Sequence, residues 1–294
     1  MKRFGPVGLL TWGLLVACLF GAMGPSARAA DPPKGLVLYY SFDQAGTDGA
    51  VIDKSGANNN GKATGAKWVS YGKQGGGFEF TATNNFIQVP SNDSLNPKQV
   101  TVAVWFKAPD SSAIWRRLID KRSEQGYALG IGGETKGQVT RGKLAFVING
   151  GTLCLSDTII TDNAWHHGAA TFDGDNLRLY VDGIPQKQVV AFHGEIASNT
   201  DDLTIGMNRS NPTAREKDQS FQGQIDEVMI FNRALSAEEI KAMVLAVDPN
   251  AGKPKFTKQQ VAFRLRQLEL LYDEGLLTDD FYLRKVAECE SAAP

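Results

Sequence analysis

Oxygen donors gather in one short stretch of this chain. The run Asp53-Lys-Ser-Gly-Ala-Asn-Asn-Asn-Gly61 supplies carboxylate, hydroxyl and amide oxygens. Such donors suit calcium, which takes six to eight oxygens at about 2.3–2.6 Å. Asp53 and Asn60 are the candidate ligands there, although Asp, Asn, Ser and Gly also gather simply to make turns. The spacing is not that of an EF-hand loop. Two adjacent pairs also invite a chemical reading, Asp226-Glu227 and His166-His167. Retaining glycoside hydrolysis needs two carboxyl groups about 5–5.5 Å apart, and neighbours on a regular strand point to opposite faces. Asp226 and Glu227 are therefore not expected to act as a pair. The histidines diverge in the same way, and no serine or cysteine motif nearby offers a nucleophile. They read as structural, and His193 reads as a lone loop residue. Trp68 with Tyr71, Trp115 with Arg116, Tyr127, and the polar loop from Arg209 to Ser220 are the candidate ligand-binding groups. Aromatic faces with polar neighbours suit sugars, and an arginine-bearing loop suits a protein partner equally well.

These groups need a scaffold, and the scaffold is written in period-2 alternation. In Trp165 to Gly183, Ala169, Thr171 and Phe172 lead into Asp173-Gly174-Asp175, after which Leu177, Leu179 and Val181 alternate with Arg178, Tyr180 and Asp182. That is an antiparallel hairpin. Asp182-Gly183 closes it with a turn signal, so a further strand should follow at once. Similar short runs recur from Leu36 to Phe231, separated by Gly, Asn, Asp and Pro, with no helix between them. Twelve or so such strands predict an all-β fold of two antiparallel sheets, a jelly-roll sandwich. In Val102 to Lys107 one alternating set faces between the sheets, and the Trp105 ring reads as covered by a neighbouring loop rather than open as a platform.

Three segments carry a family resemblance: Leu38-Tyr-Tyr-Ser-Phe-Asp43 at the start, Thr101-Val-Ala-Val-Trp-Phe-Lys107 inside, and Gly223-Gln-Ile-Asp-Glu-Val-Met-Ile-Phe-Asn-Arg-Ala-Leu-Ser236 at the end. In order and spacing the chain resembles bacterial laminin-G-like, concanavalin A-like domains from about Gly35 to Val244, and a sandwich over residues 35–246 is expected. The resemblance implies that the first and last strands lie side by side, which would bring Asp43 and Asp226 together as further calcium ligands. It also implies that Trp-His-His is a strand feature. Glucanases of this fold carry Glu-x-Asp-x-Glu or Glu-x-Asp-x-x-Glu on one strand, and this sequence has neither. Recognition is thus expected rather than catalysis, with carbohydrate or an envelope protein as partner; the fold alone does not choose, since it hosts many activities.

After the last strand, Ser236-Ala-Glu-Glu239 is a capping box opening a short helix from about Ala237 to Leu245. Pro249 and Gly252-Lys-Pro254 mark a linker over residues 247–256. Thr257 and Thr278 each begin a further helix, with Gly275 between them, so residues 257–290 form a helical hairpin. Leu265-Arg-Gln-Leu-Glu-Leu-Leu-Tyr-Asp-Glu-Gly-Leu-Leu-Thr-Asp-Asp-Phe281 resembles the short C-terminal hairpin called SHOCT. Roughly 35 residues cannot bury a self-sufficient core. The hairpin should dock on the sandwich, pair with a second copy to make a homo-oligomer, or hold another envelope component.

The 294 residues suffice for one large sandwich plus this accessory piece, and a net charge of -1 provides no basic face for nucleic acid. Met1-Lys-Arg3, an apolar run through Phe20 and Ser26-Ala27-Arg28-Ala29 read as a signal peptide over residues 1–29. Lipidation at Cys18, after Leu15-Val-Ala, is the competing reading, and Leu19-Phe20 continuing the apolar core favours ordinary cleavage. Either way the protein is expected in the periplasm, cell envelope or extracellular space. No other segment approaches the roughly 20 apolar residues of a membrane span. Cys154 and Cys289 permit one bridge without implying it.

Overall fold

The structure, a computed structural model, describes residues 33–110, 115–121, 125–133, 140–208, 219–251 and 258–291. The expected signal peptide, Cys18, most of the polar loop from Arg209 and much of the expected linker lie outside these residues. One sheet runs, in spatial order, β14 (Ile184–Ala191), β13 (Asn176–Val181), β12 (Trp165–Phe172), β7 (Val100–Lys107), β16 (Gly223–Phe231), β5 (Gly77–Phe80) and β4 (Lys67–Val69), with β1 (Leu36–Tyr40) also paired to β16. The other runs β11 (Thr152–Ile159), β10 (Lys143–Ile148), β9 (Tyr127–Ile131), β8 (Arg116–Lys121), β15 (Leu203–Ile205), β6 (Phe86–Val89), β3 (Gly61–Thr64) and β2 (Ala50–Val51). The strand pairings are antiparallel, and the two sheets form a concanavalin A-like jelly roll.

Alternation decides what each strand buries. Val102, Val104 and Phe106 of β7 meet Leu144, Phe146 and Ile148 of β10 and Leu177, Leu179 and Val181 of β13 in the intersheet core. Each such side chain contributes about 1.5–3 kcal/mol on burial. The strand expected after Asp182-Gly183 is β14. Asp182 (φ 51°) and Gly183 (φ 78°) are both left-handed, as a two-residue hairpin turn of this twist requires. Polar, short β3 and β4 escaped the alternation reading because four and three residues carry too little pattern.

The outer face of the first sheet has its own apolar layer. Ala103 and Trp105 of β7, Ala169, Tyr180 and Phe231 pack under Leu235 and under Ile240 and Val244 of α1 (Ala237–Val247). The capping box is formed: Glu239 N–H donates to Ser236 Oγ at 3.2 Å and Ser236 N–H to Glu239 Oε2 at 2.8 Å. Trp105 is buried under this helix, with the Lys73 ammonium 4.4 Å from its ring centroid.

Helices α2 (Lys258–Asp273) and α3 (Asp279–Ser291) form the C-terminal hairpin. Tyr272 and Tyr282 stack at 4.4 Å, and Gly275 (φ 69°) makes the turn. α3 packs beside β11, and Arg284 pairs with Asp110, which also meets Arg141 at 3.4 Å. Cys154 and Cys289 are both buried and form no disulfide, so the bridge left open by the sequence is not made.

Candidate functional site

The last strand is shared. On one side it pairs with β7 throughout; on the other, Gly223 to Ile225 pair with β5 and Val228 to Phe231 with β1. At the seam between β5 and β1 the register slips by a β-bulge after Asp226, and Glu227 adopts φ 50°. A bulge sets two residues against one and re-aims their side chains. The expectation that Asp226 and Glu227 diverge is therefore corrected: the two carboxylates, with Asp43 just beyond β1, lie within electrostatic reach of one another. The signal was present in the sequence. Ile225, Val228 and Ile230 are the inward residues, and a spacing of three followed by two is what a bulge writes into alternation.

The loop before β5 closes over this seam. Gln74 N–H donates to Asp226 Oδ2 at 2.9 Å, Gly72 N–H to Gly75 O at 2.8 Å, and the Trp68 indole to Phe42 O at 2.7 Å. A Cβ at Gly72 would stand 2.6 Å from Asp226 Oδ2, and one at Gly75 2.5 Å from Asp43 Oδ1. Only glycine permits so close an approach. Asp226 is 0% exposed and Glu227 3%. Burial pushes both carboxyls up to about 7, with Asp43 adding to the effect. Asp43, nearer solvent, is held below the usual range by the Ser41 hydroxyl and by Lys54, whose ammonium lies 2.9 Å away. Tyr39 donates to Glu227 Oε2 at 2.9 Å, while Glu227 Oε1 is buried with no hydrogen-bond partner. Tyr71, at the start of the loop, is 61% exposed.

Three carboxylates lie within electrostatic reach of one another, the Lys54 ammonium stands beside Asp43 and Glu227, one buried carboxylate oxygen, Glu227 Oε1, has no hydrogen-bond partner, and two glycines leave a cradle that a Cβ would fill. Among the described residues no group of three acidic, histidine or cysteine side chains is placed to hold a metal ion as the site stands. The same burial opposes glycoside hydrolysis here, because a catalytic pair must reach the scissile bond.

The remaining candidates separate. Asp53 accepts from Tyr39 N–H, Ser55 N–H, Ser55 Oγ–H and Asn59 N–H at 2.8–2.9 Å, and Asn60 Oδ1 accepts from Asp53 N–H at 2.8 Å. Their oxygens are used within the turn, which gives both a scaffold role in the loop, as the bonds from Gln74 N–H and Glu227 N–H to Asp226 do at the seam. Tyr127 is fully buried, its hydroxyl donating to Leu95 O at 3.2 Å, and Arg116 is buried with Nη1 on Pro109 O at 2.9 Å. Neither reaches a ligand. Trp68 is part-buried against the core and holds the end of the first strand; Trp115, half-buried, directly precedes β8.

The histidines diverge as expected. His166 is clasped by Asp182 at 2.9 Å and Asp162 at 3.0 Å; burial opposes its charge, but these two hydrogen bonds raise it to about 9. His167 meets the Trp105 ring at 5.3 Å, and burial lowers it to about 4.

A laminin G sequence profile, described as the concanavalin A-like lectin/glucanases superfamily, matches residues 80–241, more than half of the chain. The chain belongs to this superfamily. Among solved structures, the binding domain of Paraclostridial Mosquitocidal Protein 1 superposes with a TM-score of 0.55 at 20% identity, covering 72% of this chain and 52% of that one. Domain 4 of AbnA, a GH43 extracellular arabinanase from Geobacillus stearothermophilus, in complex with arabinotriose, gives 0.55 at 18%, covering 71% and 98%. The ligand binding domain of botulinum neurotoxin serotype D in complex with N-acetylneuraminic acid gives 0.54 at 16%, covering 72% and 51%. The chain spans about half the length of the toxin chains it matches. At such identities the likeness is one of fold, which this superfamily member shares with binding domains. No curated protein matches the sequence significantly.

Proposed function

We propose that the protein is an exported, non-catalytic carbohydrate-recognition module whose loop 71–76 is set by calcium held at Asp43, Asp226 and Glu227. The observation that carries this reading is the loop itself, drawn tight over buried carboxylates while presenting an exposed Tyr71. An exposed aromatic ring on a rigid loop is a stacking surface for a sugar. The cation supplies the positive charge that buried carboxylates lack. The arabinotriose and N-acetylneuraminic acid complexes of structural neighbours support the ligand class. The test is a glycan array with the mature protein in calcium and in chelator: binding that falls in chelator and in Tyr71→Ala is expected, and an array without bound glycan overturns the reading.

A second reading, assembly through the SHOCT-like hairpin, is favoured by one observation. Phe263, Leu270, Leu276 and Leu283 on it are exposed large apolar side chains. Sedimentation of the full chain and of a form ending at residue 254 tests it: self-association lost with the hairpin supports assembly, and a monomer in both removes it.

A further inference from the structure

The loop that carries Tyr71 is poorly suited to hold itself still. Of residues 71–76, Gly72, Gly75 and Gly76 have no side chain to anchor, and glycine loses more conformational freedom on ordering than any other residue. Tyr71 and Gln74 are exposed. Lys73 alone turns inward, its side chain 16% exposed.

What Lys73 meets is fixed by one rung of the first sheet. Asp226 of β16 stands opposite Trp105 of β7, and directly opposed residues of an antiparallel pair point to the same face. The loop crosses that face. Gln74 N–H reaches Asp226 Oδ2 at 2.9 Å, and the Lys73 ammonium lies 4.4 Å from the Trp105 ring centroid. The same ammonium donates to Oδ2 of Asp248, the residue that closes α1, at 2.5 Å.

Asp248 needs that cation. A helix C-terminus carries the negative end of the macrodipole, so a carboxylate there is unfavourable without a positive charge beside it. α1 has no basic residue in its last turn. Lys73 supplies the charge from the loop, and its hydrogen bond holds the Asp248 carboxyl below the usual range. A cation shared between an aromatic face and a carboxylate, and largely withdrawn from water, is held more firmly than an exposed surface pair.

We infer that Lys73 is the positioning residue of the recognition loop, a strap that makes the order of residues 71–76 and of the last turn of α1 depend on each other. Such coupling is reciprocal. Releasing the strap at Asp248 loosens the loop as much as releasing it at Lys73, and whatever stills the loop protects the end of the helix. The consequence for glycan binding rests on the carbohydrate reading, and the strap itself does not.

Hydrogen exchange of the full chain, followed over residues 71–76 and 244–248, tests it in wild type, Lys73→Met, Asp248→Asn, the double variant and Lys73→Arg. Asp248→Asn keeps the Oδ1 acceptor that Asn250 N–H uses at 2.9 Å, so the turn after α1 stays while the strap goes. Each single substitution should speed exchange in both segments about tenfold. The double variant should add nothing further, and Lys73→Arg, which keeps the charge and the ring contact, should restore protection. On a glycan array in calcium, Lys73→Met should need about tenfold more protein than wild type for half-maximal signal. Exchange unmoved by either single substitution, or additive effects in the double variant, overturns the strap. Glycan binding that survives Lys73→Met while the loop loosens denies Lys73 its positioning role. A wild-type chain that binds no glycan removes the carbohydrate reading instead, and the exchange result then decides the strap alone.

Discussion

Two helical segments follow the sandwich, and they are held to it by different forces. α1 buries Ile240 and Val244 against Trp105, Tyr180 and Phe231 and is fixed at its start by a complete capping box. The hairpin α2–α3 is joined through charged pairs, Arg284 with Asp110 and Asp280 with Arg141, and leaves Phe263 62% and Leu276 66% exposed. Apolar burial is insensitive to salt and cooperative with the core, whereas partly exposed ion pairs are screened and each worth little. The first helix is thus part of the sandwich, and the hairpin, although Val261 and Cys289 are buried, is expected to loosen before the sandwich unfolds.

Trp105→Ala should break the α1 layer and cost about 3–5 kcal/mol, read as a fall of about 10 °C in melting temperature for a domain of this size. A loss under 1 kcal/mol would deny that layer its role. The neighbouring histidines of β12, which point to opposite faces, give the next effect. His166, at about 9 in the fold against 6.5 unfolded, contributes stability that is complete below pH 6.5 and lost as pH rises through 9. His167, at about 4, contributes stability present above pH 6.5 and lost as pH falls through 4. Each is worth about 3 kcal/mol at the far side of its window. Denaturant melts above pH 8, beyond the raised Asp226 and Glu227 carboxyls, should show stability falling with pH, a fall flattened in His166→Asn.

Arg284→Glu sharpens the contrast from the other side. It should loosen α3, seen as faster amide exchange in Asp279–Ser291 that wild type reproduces only in high salt, while the sandwich melt moves by no more than about 0.5 kcal/mol. A cooperative loss of both would join hairpin and sandwich into one unit. Tyr71→Ala, an exposed loop change, should leave stability within about 0.5 kcal/mol and act only on glycan binding.

What the sequence disclosed follows the length of its patterns. Strands of five to nine residues with alternating Val, Leu, Ile and Phe, such as β7, β12 and β16, were legible because one slip of register would turn their whole apolar set to solvent. Tyr127 belonged to that pattern too, sharing a face with Leu129 and Ile131, and its reading as a ligand group overlooked the alternation. Asp53 and Asn60 read as ligands because turn-making and cation-binding draw on the same residues, and the hydrogen bonds show the turn. Glu227 was missed because a bulge is a departure from the rule by which strands are recognised. The seat of Lys73 has no local signal at all, since Trp105 and Asp248 meet it only when loop and helix lie across one sheet face.

The central claim, that the seam between β1 and β5 holds calcium, is tested most directly by calorimetric titration of calcium into chelator-stripped protein. One saturable site with a raised melting temperature, both abolished by Asp43→Ala and by Asp226→Asn, is the predicted result. An absence of heat together with an unchanged melt in the wild-type protein would contradict it.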